Sequence, residues 1–284
     1  MSTPLSDPVK DPVKDPVRSS AATACRAGLA LLLMLCACVV PARDNAPATG
    51  DAAAVEPLLV ASDLDNMPFA GVDAAGNPIG RDVDMMNAVA EALGRPIEWH
   101  RADFETLLPA AQSGLVDMVC ATLGVTAERA KKVSFSRPYF ETVIAVVVRA
   151  GEGEPRGWDD LDDKLVAAGE GTTSERAVRA KLPRAILAPE SKDALGAAER
   201  LLLGEVDGIA MDGPAADALV ADSGAALTTL HTPLAPERYA LALPQDREKL
   251  LTAVNEALRG FEASGQMRRW NGKWGLRPTK LPGN

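Results

Sequence analysis

A chain of 284 residues is long enough to bury a real core as one large domain or as two lobes. Hydrophobic residues make up 47% of it and aromatic residues only 4%, which is typical of a globular protein rich in alanine, leucine and valine. The net charge of −9 argues against nucleic-acid binding, which needs a basic surface. It leaves small zwitterionic ligands open, because a single local arginine can bind them.

The N-terminus predicts an export signal over residues 1–37. Arg26 precedes an apolar run, Ala27 to Leu35, which is too short to span a bilayer comfortably. Between Asp7 and Arg18 stand tandem copies of Asp-Pro-Val-Lys or Asp-Pro-Val-Arg, which are too short and proline-rich to build a core. Residues 38–56, rich in alanine, proline and aspartate, predict a flexible tether.

The end of this signal resembles a bacterial lipoprotein box. Its sequence is Leu35-Cys36-Ala37-Cys38, and Cys38 would be the residue lipidated after cleavage. Cleavage there leaves Cys120 as the one cysteine of the folded part, where it is expected to be a small buried hydrophobe. The sequence thus predicts a protein anchored by lipid in the periplasm or at the cell surface. An ordinary signal peptide with incidental cysteines is the alternative.

From Pro57 the sequence alternates short apolar strands with amphipathic helices. The first set, in chain order, comprises a strand at Leu58 to Ala61, a helix capped by Asp82 and ended by Gly94, a strand at Ile97 to Trp99, a helix at Asp103 to Ser113, a strand at Val116 to Ala121 and a long strand at Thr142 to Arg149. Because proline is tolerated only in the first turn of a helix, Pro109 indicates that the second helix begins near Phe104 or Thr106.

A second set of alternating elements follows a break at Gly151 to Gly157. It comprises strands at Leu165 to Ala168, Ala185 to Leu187, Val206 to Met211 and Tyr239 to Leu243, and helices beginning at Ser174, Lys192, Pro214 and Glu248. This alternation indicates α/β layers, and two sets indicate two lobes. The chain is expected to cross between them near Ala145 to Arg149 and near Glu237 to Ala240. Lobe 1 would then comprise residues 57–145 and 240–280, and lobe 2 residues 146–239.

Three short motifs could together hold a free amino acid. Thr122 to Arg129 offers a hydroxyl, turn amides and a guanidinium, and Gly171 to Glu175 offers amides and hydroxyls at a predicted helix start. Val206 to Asp212 ends a strand with a lone carboxylate. A zwitterion needs these groups, because its carboxylate binds donors and a cation and its ammonium binds an anion. Thr122, Gly171 and Asp212 fall at the carboxyl ends of strands, which is the edge where α/β sheets bind ligands.

Further stretches resemble a known family. They are Asp63 through Phe69, Gly80 to Asp84, Phe104 through Pro109, Gly114 to Asp117, Ser134 to Tyr139, Gly204 to Asp207 and Trp270 through Trp274. In order and spacing they resemble the bacterial extracellular solute-binding proteins of the polar amino-acid type, which serve ABC importers. The resemblance covers nearly all of residues 57–275. It implies the two-lobed α/β fold of type II periplasmic binding proteins, with the ligand in the cleft between the lobes.

The resemblance also implies how the ligand's main-chain groups are held. Arg129 matches the arginine that clamps the α-carboxylate, and Thr172 and Thr173 match the carboxylate-binding helix start. Thr122 and the amide of Gly124 match positions that hold the ligand backbone.

The other matched positions imply the ammonium site and the side-chain site. Asp212 matches the acid that binds the α-ammonium group. Phe104 matches an aromatic residue that stacks on the ligand side chain. Asp63 and Asn66 match positions that face this side chain. With Glu170 also expected nearby and no basic residue placed there, the sequence predicts a polar or cationic amino acid over aspartate or glutamate.

Two positions depart from the family pattern. An aromatic residue is frequent where this chain has Asn66, and a serine or threonine is common where it has Gly124. The second change removes a hydroxyl but leaves the amide. Both changes concern side-chain specificity more than the binding of the ligand backbone.

Several of these residues have plainer interpretations. Arg129 lies in a charge run, which is usually a solvated face, and Phe104 could be a core residue. Thr173 to Glu175 could be only a helix cap, and Asp212 could cap the helix opened by Pro214.

The resulting hypothesis is a monomeric amino-acid-binding protein that closes about a hinge and delivers its ligand to an inner-membrane ABC permease, without metal or cofactor. An alternative is a periplasmic dehydratase of the cyclohexadienyl type, for which Glu141 and Glu170 would be the carboxylates of interest. Another is a sensor subunit that hands its ligand-bound form to a membrane receptor.

Overall fold

The computed structural model describes residues 55–189 and 194–279. The predicted signal over residues 1–37, the lipidation site Cys38 and most of the tether at 38–56 lie outside the described residues. Among the residues described, no helix has the length and apolar character needed to cross a bilayer.

The first lobe is built on a mixed sheet of five strands. These are β1 (Leu58–Ser62), β4 (Ile97–Arg101), β5 (Met118–Val119), β6 (Ser134–Phe135) and β13 (Ala242–Leu243). Their order is β4-β1-β5-β13-β6, with β1 parallel to both its neighbours and β13 antiparallel to both of its own. A separate hairpin joins β2 (Gly71–Val72) to β3 (Pro78–Ile79).

Helices cover both faces of this sheet. They are α1 (Arg81–Leu93), α2 (Phe104–Gln112), α6 (Glu248–Ala263) and α7 (Gln266–Lys273). In α1 the buried side chains Met86 and Val89, three residues apart, share one face and pack into the core beside Met85. The helix ends at Gly94, whose left-handed φ of 63° suits a residue without a side chain.

The second lobe is built on a larger sheet. Its strands are β7 (Phe140–Arg149), β8 (Leu165–Ala168), β9 (Ile186–Pro189), β10 (Gly208–Asp212), β11 (Leu227–Thr229) and β12 (Ala235–Tyr239). The order is β11-β7-β10-β8-β9, and β12 also pairs with β7. The helices α3 (Thr173–Lys181), α4 (Ala194–Leu202) and α5 (Gly213–Asp222) each follow a strand of this sheet.

The antiparallel strands β7 and β12 connect the lobes. Phe140 pairs with Tyr239, and both rings are buried in the first lobe's core, whereas Ile144 is buried in the second. The cores therefore divide between Phe140 and Ile144, a few residues before the expected crossing at Ala145 to Arg149. The lobe limits themselves, 57–145 with 240–280 and 146–239, stay a prediction.

One predicted helix cap and one predicted proline position are wrong. The N-cap of α1 is Gly80, and Asp82 lies inside the helix, where its buried carboxylate binds Arg81 and Tyr139. Pro109 lies within α2 beyond its first turn, although the helix does begin at Phe104.

One predicted strand is in fact two. The run from Tyr239 to Leu243 is split between β12 and β13, which belong to different sheets. The apolar run is continuous because Tyr239, Ala240 and Leu241 stay buried while the chain passes from one sheet to the other.

Candidate functional site

A cavity of about 240 Å³ lies between the two lobes. All the ligand-binding residues expected from the sequence line it, namely Asp63, Asn66, Phe104, Thr122, Gly124, Arg129, Thr172, Thr173 and Asp212. A larger cavity of about 910 Å³ is lined by other residues, such as Arg137, Arg259 and Thr279, and by none of these nine. We take the smaller cavity as the candidate site, because it combines buried groups of opposite charge.

Arg129 supplies the cation of the site. It begins a short 3₁₀ turn after β5, and only 7% of its surface is exposed, so the solvated-face interpretation is wrong. Its guanidinium donates to the carbonyl oxygens of Gly124 at 2.8 Å and Gly171 at 3.1 Å, one in each lobe. The guanidinium carbon lies 5.9 Å from the centre of the Phe104 ring. Burial lowers the pKa of Arg129, and nearby Glu237 opposes this change.

The N-terminus of α3 faces the cavity beside this cation. The Thr172 hydroxyl accepts from the amide of Glu175 at 3.2 Å, and the Glu175 carboxylate accepts from the amide of Gly171 at 2.7 Å. Capping by this segment is therefore real, and it orders a helix end whose partial positive charge favours an anion. The neighbouring Thr173 also lines the cavity, and its hydroxyl donates to Oε1 of Glu237 at 2.9 Å.

Asp212 supplies the anion of the site. It is the last residue of β10, and its side chain makes no capping hydrogen bond to α5, contrary to the capping interpretation. Its Oδ2 accepts from the Tyr239 hydroxyl at 2.5 Å. Burial raises the pKa of Asp212, while Tyr239 and Arg129 act in the opposite direction.

The remaining wall of the cavity carries acids and amides from the first lobe. The side-chain amide of Asn66 donates to the Thr122 hydroxyl at 2.8 Å, so Asn66 helps to position Thr122. Asp63 has a buried Oδ1 that no hydrogen bond satisfies within the described part of the chain. Burial raises the pKa of Asp63, hydrogen bonds from the backbone of residues 63–65 oppose this rise, and the charge of Asp65, which also lines the cavity, adds to it.

Glu170 does not join the site. Its side chain is exposed and lies outside the cavity lining, so the expectation that it faces the ligand side chain is wrong. Glu141 also lies outside this lining: it accepts from Arg238 at 3.0 Å and lines the larger cavity.

Tyr239, which lines the cavity, and Glu237, which lies behind it, are two residues that the sequence did not reveal. They lie two apart on β12, so both side chains project from the same face of the strand. Tyr239 binds Asp212, whereas Glu237 is only 5% exposed and binds Thr173. The alternating positions of Glu237 and Tyr239 are typical of a strand with both side chains on one face. This pattern is weak evidence here, because the strand is very short and contains Pro236.

Glu237 and Thr173 crowd the space beside Gly124. The chain pairs Val125 N with Arg238 O at 3.0 Å and Ala240 N with Leu123 O at 3.2 Å, which brings Gly124 against β12. A Cβ added at Gly124 would lie 1.8 Å from Oε1 of Glu237. The carboxyl group of Glu237 therefore occupies the space that a serine or threonine side chain would need.

Comparison with known proteins agrees with this architecture. Residues 58–277 match the bacterial extracellular solute-binding proteins, family 3. The probable histidine-binding protein of Neisseria gonorrhoeae is 29% identical over 255 residues, covering 87% of this chain and 91% of that protein. Since the family match spans most of the chain, the protein belongs to the family 3 bacterial extracellular solute-binding proteins.

Solved structures support the two-lobed type II fold. An ancestral arginine-binding protein bound to arginine has a TM-score of 0.70 at 31% identity, covering 78% of this chain and 99% of that one. An ancestral amino-acid-binding protein described as a precursor of cyclohexadienyl dehydratase has a TM-score of 0.69 at 29% identity, covering 77% and 94%.

Proposed function

We propose that this protein captures a polar or cationic amino acid outside the cytoplasm and delivers it to an ABC permease. One observation carries the proposal: a buried arginine and a buried aspartate, Arg129 and Asp212, line one cavity between two lobes. Such a pair suits a zwitterion, since each buried charge gains an opposite partner when the ligand binds. Two of the relatives carry names that point the same way, a probable histidine-binding protein and an ancestral arginine-binding protein.

At the carboxylate end we assign Arg129, the Gly124 amide and the α3 helix start with Thr172 and Thr173. The guanidinium offers a bidentate contact, and the helix end adds amide donors and a partial positive charge. At the ammonium end we assign Asp212, which Tyr239 holds in place through its hydroxyl.

The side chain of the ligand would meet Asp63, Asn66 and Phe104. Oδ1 of Asp63 accepts no hydrogen bond among the described residues, and a buried acceptor without a donor lowers the stability of the fold. A guanidinium or ammonium group satisfies it, and Asp65 adds negative charge nearby. These features favour a cationic ligand within the polar class.

A thermal-shift screen of the purified protein against all amino acids, polyamines and small carboxylates tests this function. An amino acid present at 100 times its dissociation constant should add about 2.7 kcal/mol to the free energy of unfolding. Arginine, lysine or histidine should give the largest thermal shift. Asp63→Asn should reduce the difference between their shifts and the shift with glutamine. A largest shift with glutamate or aspartate would contradict the assignment of this wall.

The location proposed for the protein rests on its N-terminal sequence. We assign it to the periplasm or the cell surface as a monomer anchored through lipidated Cys38. Cys38→Ser should move the protein from the membrane fraction to the soluble fraction. Recovery of wild-type protein in the soluble fraction, with a mature N-terminus beyond residue 38, would contradict the anchor.

A dehydratase remains the alternative activity because of the likeness to a dehydratase precursor. Neither Glu141 nor Glu170 lines the cavity, which disfavours it. A turnover assay with prephenate and arogenate separates the two functions. For the sensor alternative, the discriminating observation is whether neighbouring genes encode a permease or a membrane receptor.

A further inference from the structure

Glu237 is a buried acid that the binding roles assigned above leave unused. It lies behind the carboxylate-binding end of the cavity, with Gly124 of the first lobe on one side and Thr173 of the second on the other. The Oε1 atom of Glu237 accepts a hydrogen bond from the Thr173 hydroxyl at 2.9 Å, and only 5% of the Glu237 surface is exposed. The side chain thus lies where the two lobes meet.

Three charged or titratable groups face this carboxyl. Asp212 comes from β10, Arg129 from the turn after β5, and Tyr239 from β12 itself. Burial, followed by the charge of Asp212, raises the pKa of Glu237 to about 7, while Thr173 and Arg129 lower it. The environment therefore disfavours a second carboxylate beside Asp212.

We propose that Glu237 is a positioning residue that links closure of the cleft to uptake of one proton. The closed cleft buries this carboxyl against Gly124 and near Asp212, so it prefers the protonated form despite the hydrogen bond from Thr173. This inference rests on the proposed function. A ligand carboxylate placed beside Arg129 brings another anion close to Glu237, which strengthens the preference.

The consequence is an affinity that falls as pH rises. If binding takes up a proton at Glu237, the dissociation constant rises once the unliganded protein has lost that proton, by at most tenfold per pH unit. With L-arginine as the ligand, we expect the wild-type dissociation constant to rise about threefold or more between pH 6 and pH 8.5.

Calorimetry of the full chain with L-arginine tests the inference. Titrations in buffers of different ionisation enthalpy report the number of protons taken up on binding. Wild type should take up a substantial fraction of one proton at pH 8, and Glu237→Gln, which keeps an acceptor for Thr173, should take up almost none. Glu98→Gln makes the same change on an exposed strand and should behave as wild type.

The outcomes separate this inference from the function on which it rests. Arginine binding that is independent of pH in wild type, or equal proton uptake in Glu237→Gln, overturns the role of Glu237 alone. No binding of arginine by wild type at any pH overturns the proposed cationic ligand, and the inference falls with it.

A second pair of variants tests the contact itself. Gly124→Ala should weaken arginine binding, since the added Cβ meets the Glu237 carboxyl at 1.8 Å. In a Glu237→Ala background this loss should be smaller, because the opposing carboxyl is gone, although Thr173 Cγ2 at 2.9 Å still crowds the added Cβ. An equal loss in both backgrounds contradicts the contact.

Discussion

At the scale of single residues, Arg129 has the largest expected influence on binding. It is buried, contacts backbone carbonyls of both lobes and has no short ion pair among the described residues. A ligand carboxylate would provide the missing counter-charge. We expect Arg129→Ala to weaken amino-acid binding by about 2–5 kcal/mol, the cost of truncating one side of a buried charge pair.

Calorimetric titration of the mutant checks this expectation. Arg259→Ala is a suitable control, because Arg259 is an exposed arginine on α6 outside the candidate site. Wild-type affinity in Arg129→Ala, with the control unchanged, would show that the carboxylate binds elsewhere.

Glu237 also predicts a pH dependence of stability that needs no ligand. Its pKa is about 7 in the folded protein and 4.5 as its ordinary value, so the folded state binds the extra proton. Ionising the buried Glu237 carboxyl lowers the free energy of unfolding. This loss is absent below pH 4.5, grows between pH 4.5 and pH 7, and is complete above pH 7. Glu237→Gln should therefore stabilise the protein at pH 8 by up to about 3 kcal/mol, and by almost nothing at pH 4.

Urea unfolding at the two pH values measures this difference. A stability gain that is equal at pH 4 and pH 8 would mean that the substitution improves packing and that the charge has no part in it.

The sequence predicted the cavity lining from short motifs read together with a family resemblance. The motifs at Thr122 to Arg129 and at Asp212 offer the opposite charges, whereas Asp63, Asn66 and Phe104 were predicted from the resemblance alone. The role of Glu237 depends on two contacts distant in sequence, with Thr173 and with Gly124. The sequence shows that Gly124 has no side chain, but it does not show that the Glu237 carboxyl occupies the neighbouring space.

At the scale of elements, the first turn of α1 holds a buried ion pair next to the strand that leaves the first lobe. Arg81 and Asp82 are both fully buried and lie 2.9 Å apart. Arg81 also donates to the carbonyl of Tyr139 at 3.1 Å, and the Tyr139 hydroxyl donates to Asp82 at 2.6 Å. These bonds attach α1 to the residue immediately before β7.

Removing one partner of this pair should be severe. Arg81→Ala leaves the Asp82 carboxylate buried without its cation, and we expect a loss of about 3–5 kcal/mol in the free energy of unfolding. Arg184→Ala removes an exposed partner of Asp162 and Asp163 and should cost about 1 kcal/mol or less. Equal costs in denaturant unfolding would contradict the importance of the buried pair.

Elements with a strong apolar period were predictable, and those defined by tertiary contacts were not. The face of α1 and its end at Gly94 follow from spacing and from one glycine. Helix α7 was missed, because it contains Gly272 and buries little beyond Trp270 and Asn271. The break between β12 and β13 could not be read from an apolar run that stays buried in both sheets.

At the scale of the whole molecule, two lobes meet across the candidate site and are joined by paired strands. Contacts across the cleft include Arg129 with Gly171 and Arg176 with Glu128 at 2.6 Å. A ligand that contacts both lobes favours the closed arrangement by its difference in affinity for the open and closed forms. Binding at both ends of the zwitterion is therefore the central requirement of the proposed function.

Calorimetry with a matched ligand set tests this requirement most directly. The purified protein is titrated with the L-amino acid that gives the largest thermal shift, with its decarboxylated amine and with its N-acetyl derivative. The amino acid should bind at one site per chain, and each analogue should bind at least tenfold more weakly, because Arg129 or Asp212 loses its partner. An analogue that binds as tightly as the amino acid would contradict recognition of a zwitterion between the two lobes.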